Sequence, residues 1–456
     1  MFVEKIKTDG LAHLSWLIGD GAQAAVIDPR RDCDIYAEMA RERGCRITHI
    51  FETHRNEDLV SGAPVLAEMT GARVLHGPDE KLDIAYAETT HEGDSFALGG
   101  LTLSVLETPG HTDDSLSFAI FDEAFGEQAL GVFTGDTLFI GDVGRTDFYP
   151  ERAREVAGNL FDSLRKICAL GDQAIVYPAH GAGSVCGNNM ADREFSTIGY
   201  ERRNNPMLRM EERERFIETK VEEHHYQPPY FRLMEKMNLE GGPRLDAAFM
   251  PPALAPAAWK KAAPGATILD VRGIAAYLGA HLPGSIALPD DMIPAFAGWF
   301  LDPLDEILLV ANDADQAALA ARHLSRIGFD GVGGFLAPSL TGWAAMAGEF
   351  GTMPVVDIAE VARRVEAAPN DWTLLDVRGE DELADGRIEG AQHIYVGEIT
   401  EHMRNLDPGR RYTVMCKSGA RSTIAASLLR RQGFRHVDVF LGSMGAWKAA
   451  GYAKKD

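Results

Sequence analysis

Thr53-His54-Arg55-Asn56-Glu57-Asp58-Leu59 follows the largely apolar run Ile47–Phe51 and precedes Val60-Ser61-Gly62. It reads as a short strand that ends in a polar turn carrying His54 and Asp58, residue types able to bind a metal. Three later stretches have the same design. Leu103-Ser104-Val105-Leu106-Glu107 runs into a tight turn ending at His111, Leu130-Gly131-Val132-Phe133 delivers Asp136, and Ala174-Ile175-Val176-Tyr177 delivers His180. A lone strand-end histidine is usually a structural residue. Four such strand ends in series define a candidate site of His54, Asp58, His111, Asp136 and His180.

Bulk properties narrow the function classes. At 456 residues the chain has room for about two to four domains, each with its own core. Its 45 basic and 68 acidic residues give a net charge of −23, which argues against nucleic acid or an anionic membrane as the main partner. No apolar run reaches the roughly 20 residues that span a bilayer. Met1-Phe2-Val3-Glu4-Lys5 lacks the basic-then-apolar pattern of a secretion signal, so the expected location is the cytoplasm. Five cysteines, at 33, 45, 168, 186 and 416, make no disulfide framework and fit a reducing compartment. Cys33, Cys45 and Cys168 read as small apolar residues, and Cys186, six after His180, is placed near the mouth of the candidate metal site.

Residues 1 to about 45 read as strand, strand, helix, with strands at Leu14–Ile18 and Ala24–Ile27 around the turn Gly19-Asp20-Gly21, and helical spacing over Ile35–Arg43. A helix over Ala63–Thr70 and a strand over Arg73–His76 continue the alternation, which predicts sheets covered by helices. Asn204-Asn205-Pro206 and Gln227-Pro228-Pro229 bracket a charged amphipathic helix over Met210–Val221, with His224-His225 read as its exposed end. This tail carries the first domain to residue 245.

The four strand ends, over roughly residues 1–240, resemble the metallo-β-lactamase superfamily, which implies an αββα sandwich. The usual first motif of that superfamily is His-x-His-x-Asp-His, and here Asn56 and Leu59 stand where two of the histidines would be. By resemblance to its two-zinc hydrolases, the first metal would use His54, His111 and the position of Asn56. The second would use Asp58, His180, Asp136 and the position of Leu59. Leucine has no lone pair and an amide is a far poorer zinc ligand than imidazole, so both zinc sites are damaged. His54, His111 and Asp136 survive complete, the two-histidine, one-carboxylate set of non-haem Fe(II) oxygenases. That triad resembles the one used by the persulfide dioxygenases and implies one Fe(II) per chain, with zinc as the alternative. Asp58, His180 and Asn56 are then expected around the metal rather than on it. Gly144-Arg145-Thr146-Asp147-Phe148 is also similar to that family, which implies that Arg145 pairs with a carboxylate of a glutathione-like substrate.

Beyond residue 245 the chain repeats itself. Ile268-Leu269-Asp270-Val271-Arg272-Gly273 returns as Leu374-Leu375-Asp376-Val377-Arg378-Gly379, and His281-Leu282-Pro283-Gly284 as Arg387-Ile388-Glu389-Gly390, both at an offset of 106. Two domains follow, 246–351 and 352–456, each alternating strand and helix as a small parallel sheet requires. Their Asp-Val-Arg signature resembles rhodanese domains. In the second copy, the strand Tyr412–Met415 leads into Cys416-Lys417-Ser418-Gly419-Ala420-Arg421 and then a helix over Ser422–Arg431. A thiolate at the base of such a loop, ahead of a helix N-terminus, is stabilised by backbone N–H groups and nearby cations. Cys416 is therefore the expected nucleophile, with Lys417 and Arg421 supplying positive charge. The loop length resembles that of sulfurtransferases and is one residue shorter than in phosphatases of this fold. In the first copy Ala311 and Gln316 stand at the positions of Cys416 and Arg421, so that domain is expected to be catalytically silent.

The order of the three domains looks like a persulfide dioxygenase–rhodanese fusion. The resemblance implies oxidation of a thiol persulfide such as glutathione persulfide by O₂ to sulfite, and sulfane-sulfur transfer among persulfide, sulfite and thiosulfate at Cys416. A homo-oligomer is compatible with the sequence. The rival readings are a thioester hydrolase of the glyoxalase II kind with an accessory sulfurtransferase, and a degenerate metal domain beside an active Cys416.

Overall fold

The computed structural model describes residues 1–79, 83–122, 124–184, 187, 190–245 and 250–452. These fall into two compact units, Met1–Asp246 with Arg326–Gly328, and Ala247–Ser325 with Phe329–Asp456.

The first unit is built on two six-stranded sheets. One runs Phe2–Thr8, His13–Asp20, Gln23–Ile27, Arg46–Phe51, Arg73–His76, Glu88–Thr89 in spatial order, so each strand neighbours the next in sequence. The other runs Ser196–Thr197, Ile175–Pro178, Gly131–Gly135, Leu116–Asp122, Leu101–Glu107, Ser95–Leu98. Side chains alternate across a strand, and here both faces are used. Leu14, Trp16 and Ile18 join Phe51, Leu103, Phe118 and Phe133 in the core between the sheets. Leu17, Ala24, Val26 and Ile50 point the other way, packing with Tyr36 and Leu66 of the helices Asp34–Glu42 and Ala63–Thr70. The second sheet is covered in the same way by the helix Ala153–Cys168, whose Leu160 and Leu164 pack with Phe216 of the helix Arg213–Glu222. The layers are therefore helix, sheet, sheet, helix, as expected. The sequence reading missed Phe2–Thr8, because a half-buried outer strand alternates charged Glu4, Lys5 and Lys7 with only a few apolar positions.

The second unit contains the two repeats. The sheet order is Ala253–Leu254, Val332–Leu336, Ile307–Val310, Thr267–Asp270, Ile286–Ala287 in the first, and Val355–Val356, Val437–Phe440, Arg411–Met415, Trp372–Asp376, Gln392–His393 in the second. All pairings are parallel, which requires helical crossovers and explains why central strands such as Ile307–Val310 are buried throughout. Within this unit the copies touch: Ser427 Oγ accepts from the Ala287 N–H at 3.0 Å and Arg431 donates to the Gly284 carbonyl at 2.9 Å. Among the described residues, no helix is long and apolar enough to cross a membrane.

Candidate metal centre and thiol loop

The metal-type residues all leave the C-terminal ends of strands on one rim of the sandwich: His54 just beyond Arg46–Phe51, His111 beyond Leu101–Glu107, Asp136 after Gly131–Gly135, and His180 after Ile175–Pro178. Gly135 has φ 53°, and a Cβ there would stand 2.7 Å from Thr53 Oγ1, so glycine lets the Asp136 turn approach the His54 turn. Among the described residues, His54, His111 and Asp136 form the group whose ligand atoms all lie within 4.8 Å of one another, and all three are buried. Asp136 Oδ2 lies 3.5 Å from His111 Nε2 and 3.9 Å from His54 Nε2.

Hydrogen bonds fix which nitrogens face the centre. The Thr53 hydroxyl donates to Asp28 Oδ2 at 2.8 Å, so its oxygen accepts from His54 Nδ1 at 2.9 Å. His111 Nδ1 donates to the Arg145 carbonyl at 3.0 Å. In both rings Nε2 is left with a lone pair, and a backbone or hydroxyl partner behind each ring holds its orientation. His111 Nε2 and Asp136 Oδ2 are buried without a hydrogen-bond partner, an expensive state unless a cation completes them. The residues therefore fit the metal that the fold implies, held by His54, His111 and Asp136.

His180 has a different role. Its Nδ1 lies 2.7 Å from Asp136 Oδ1 and its Nε2 3.0 Å from Asp58 Oδ2. Both nitrogens face carboxylate oxygens, an arrangement that favours the doubly protonated ring. Burial opposes that charge, but Asp136 and Asp58 hold His180 well above its ordinary value. Asp136 is held low in turn, against its burial, chiefly by His180. Leu59, next to Asp58 in sequence, is buried and has nothing to donate to a metal. Burial lowers His54, whereas His111 is raised despite burial by Glu57 and Asp136. Asp28, fully buried, is pushed up to about 7 by desolvation.

The tail of the first unit pins this loop. Asn238 donates to the carbonyls of Asn56 at 2.7 Å and Leu59 at 2.8 Å and accepts from the Ser61 N–H at 2.8 Å, and the Tyr230 hydroxyl donates to the Asp58 carbonyl at 3.1 Å. The Arg55 N–H donates to Asp114 Oδ2 at 2.8 Å. Asn238, Tyr230, Thr53, Asp28 and Asp114 are functional supports that the sequence reading did not find. Only Thr53 lay in a stretch already singled out.

Arg145 stands at the site in a different posture from the expected one. It is fully buried, its Nε and Nη2 fork onto Asp147 at 2.6 and 2.7 Å, and its guanidinium lies over Phe148 at 4.9 Å. Phe148 packs edge-on against His111, ring centroids 5.2 Å apart. In this structure Arg145 thus positions His111, through its carbonyl and through Phe148, with its fork already filled. The pair His224-His225 is split: His224 is exposed as expected, but the His225 side chain is only 4% exposed and meets Glu223 at 3.1 Å. The tail folds back there, with the Tyr226 carbonyl 3.3 Å from Arg145 Nη1, so this is no free helix end. Cys186 lies outside the described residues.

In the second repeat, Cys416 is buried at the foot of its loop and the Gly419 N–H points at its Sγ from 3.1 Å. Ser422 Oγ lies 3.6 Å from the sulfur, and Ser443 Oγ accepts from the Cys416 N–H at 3.0 Å. The helix Ala420–Arg431 starts two residues earlier than the sequence suggested, so its first turn forms one wall of the loop. Lys417 is exposed on the rim, and Arg421 donates to Glu382 at 2.8 Å. Glu382 is held below its usual value by Arg421 despite partial burial. In the first repeat Ala311 offers no sulfur, and the Gln316 amide occupies the loop, accepting from the Asn312 N–H at 2.9 Å and donating to the Val271 carbonyl at 3.1 Å.

A sandwich of this layering with a His-His-Asp rim, followed by two parallel-sheet repeats of which one keeps a cradled thiol, defines a metal-dependent enzyme joined to a sulfurtransferase-type pair. The chain belongs to the metallo-beta-lactamase superfamily, matched over residues 8–180, and carries two rhodanese-like domains, matched over 255–346 and 357–450. It is 34% identical over 168 residues to a hydroxyacylglutathione hydrolase of Tolumonas auensis, 36% of this chain but only 60% of that relative's own length. It is 28% identical over 243 residues to the mitochondrial persulfide dioxygenase ETHE1 of Bos taurus, covering 51% of this chain and 80% of that one. A solved metallo-beta-lactamase structure from Staphylococcus aureus aligns at 31% identity with a TM-score of 0.67, covering 74% of this chain and 98% of that one.

Proposed function

We propose that this chain is a two-centre sulfur enzyme, which oxidises a glutathione-like persulfide with O₂ at a single Fe(II) and transfers sulfane sulfur at Cys416. The observation that carries the reading is the convergence of the ligand atoms of His54, His111 and Asp136 on one position, with His180 engaged by Asp136 and Asp58 beside it. Bound ferrous iron would supply a redox-active Lewis acid with open coordination positions. The chain's own residues orient and enclose: Thr53 and the Arg145 carbonyl hold the two imidazoles, and Phe148 and Phe231, ring centroids 6.3 Å apart, form an apolar wall beside His111. In the net reaction persulfide, O₂ and water give thiol and sulfite. The outer sulfur loses four electrons and O₂ takes them up.

At the second centre, the Cys416 thiolate would attack a sulfane sulfur, take it as a persulfide and release the donor thiolate or sulfite. Attack of sulfite on the outer sulfur of that persulfide would form thiosulfate and return the thiolate. The Gly419 N–H donates to that sulfur, and Arg421 and Lys417 favour anionic donors. The setting suits a reducing cytoplasm. Elemental analysis of anaerobically purified protein, with oxygen consumption on glutathione persulfide, tests the reading. About one iron per chain with oxygen uptake is the expected result. Two zinc ions with cleavage of a glutathione thioester would instead favour the hydrolase that the Tolumonas relative's name describes, for which Asp58 and His180 are retained.

A further inference from the structure

We propose that Glu57 is a fourth ligand of the metal, supplying from the next residue what Asn56 no longer offers, so that the centre has two histidines and two carboxylates. This rests on the reading of His54, His111 and Asp136 as a metal site. Glu57 is 4% exposed, and its Oε2 is buried with no hydrogen-bond partner among the described residues. That oxygen lies 3.7 Å from His111 Nε2, close to the 3.5 Å between His111 Nε2 and Asp136 Oδ2. Glu57 stands on the His111 side, outside the group of three whose ligand atoms are all mutually within 4.8 Å.

Two features aim it there. The backbone on either side is held, the Arg55 N–H by Asp114 at 2.8 Å and the Asn56 carbonyl by Asn238 at 2.7 Å. The partnerless atoms around the centre, Glu57 Oε2, Asp136 Oδ2 and His111 Nε2 with its lone pair, are all acceptors, and a cation satisfies a ring of acceptors where a water or a neutral donor cannot. A second carboxylate also hardens the donor set, moving its preference from zinc toward Fe(II) or Mn(II) while still leaving positions for substrate.

Cobalt(II) titration of the full chain, with chelator competition and visible absorption spectra, tests this without reference to turnover. Wild type is expected to bind one cobalt. Glu57→Gln is expected to weaken binding by about tenfold or more and to change the ligand-field bands. Unchanged affinity and bands in Glu57→Gln would overturn the assignment. So would weaker binding with unchanged bands, which would mean that Glu57 acts only through its field. If Glu57→Gln failed to fold, Glu57→Asp would decide by the same two readouts. Failure of wild type itself to bind cobalt would remove the metal reading first, and with it this one.

Discussion

Thr53 decides more about the centre than its neutral hydroxyl suggests. While Asp28 is ionised, the hydroxyl donates to it and accepts from His54, so one hydroxyl sets the tautomer of a candidate ligand. Thr53→Val keeps the volume and removes the relay. Metal affinity is expected to fall by about 10- to 100-fold, read by chelator competition, with little change in fold. Behind it, Asp28 has a pH signature. Its folded value is about 7 against an ordinary 3.8, so between these values the unfolded chain has released a proton that the folded chain retains. The unfolded state binds fewer protons in that window, and stability therefore falls as pH rises from about 4 to 7. In metal-free protein, Asp28→Asn is expected to flatten that slope in chemical denaturation, the two proteins diverging by up to a few kcal/mol at pH 7 and converging near pH 4. Parallel slopes would mean that Asp28 is not held protonated.

The strand ends were legible because their signal is local: an apolar run of four to eight residues followed by a turn bearing His or Asp is contained in one window of sequence. The element that holds the first of those turns was not. Asn238 lies on the helix Phe231–Glu240, about 180 residues from the carbonyls it binds, and nothing in its neighbourhood marks it. His180 was legible as a residue beside the metal rather than on it, but a count of possible ligands could not see that both its ring nitrogens meet carboxylates. Asn238→Ala leaves two buried carbonyls and the Ser61 N–H without their partner, so a loss of about 1–3 kcal/mol per group is the upper scale, with metal affinity lowered as the loop loosens. Thermal unfolding with and without added metal reads both. The Asp-Val-Arg signature, by contrast, was legible and turns out to serve the fold. Arg378 binds Asp376 at 2.7 Å and the Gly386 carbonyl at 3.1 Å, and Arg272 repeats this with Asp270 and Ala280. What separates the copies is the loop. Restoring the sulfur alone, by Ala311→Cys in a Cys416→Ser background, is expected to give no thiosulfate sulfurtransferase activity, since Gln316 still spans the loop and no arginine stands there.

At the scale of the whole chain, the proposed function puts two centres with complementary products on one polypeptide, where sulfite released at one would be an acceptor for the sulfur carried by the other. Such a chain can be one machine or two independent catalysts, and single substitutions separate these. His111→Ala removes a candidate ligand whose ring is held through Nδ1 by the Arg145 carbonyl, so oxygen uptake on glutathione persulfide is expected to fall by about a hundredfold or more, with thiosulfate sulfurtransferase activity retained. Cys416→Ser removes the sulfur that Gly419 cradles and is expected to abolish that transfer while sparing oxygen uptake. With both centres intact, persulfide and O₂ are expected to yield thiosulfate as well as sulfite, and in Cys416→Ser the product is expected to shift to sulfite. If either substitution abolished both activities in a folded protein, the chemistry would have to pass through a single centre. The separate supports found for each site, Thr53 and Asn238 for the metal rim and Ser422 and Ser443 for the thiol, argue that each is held by its own domain and can lose function alone.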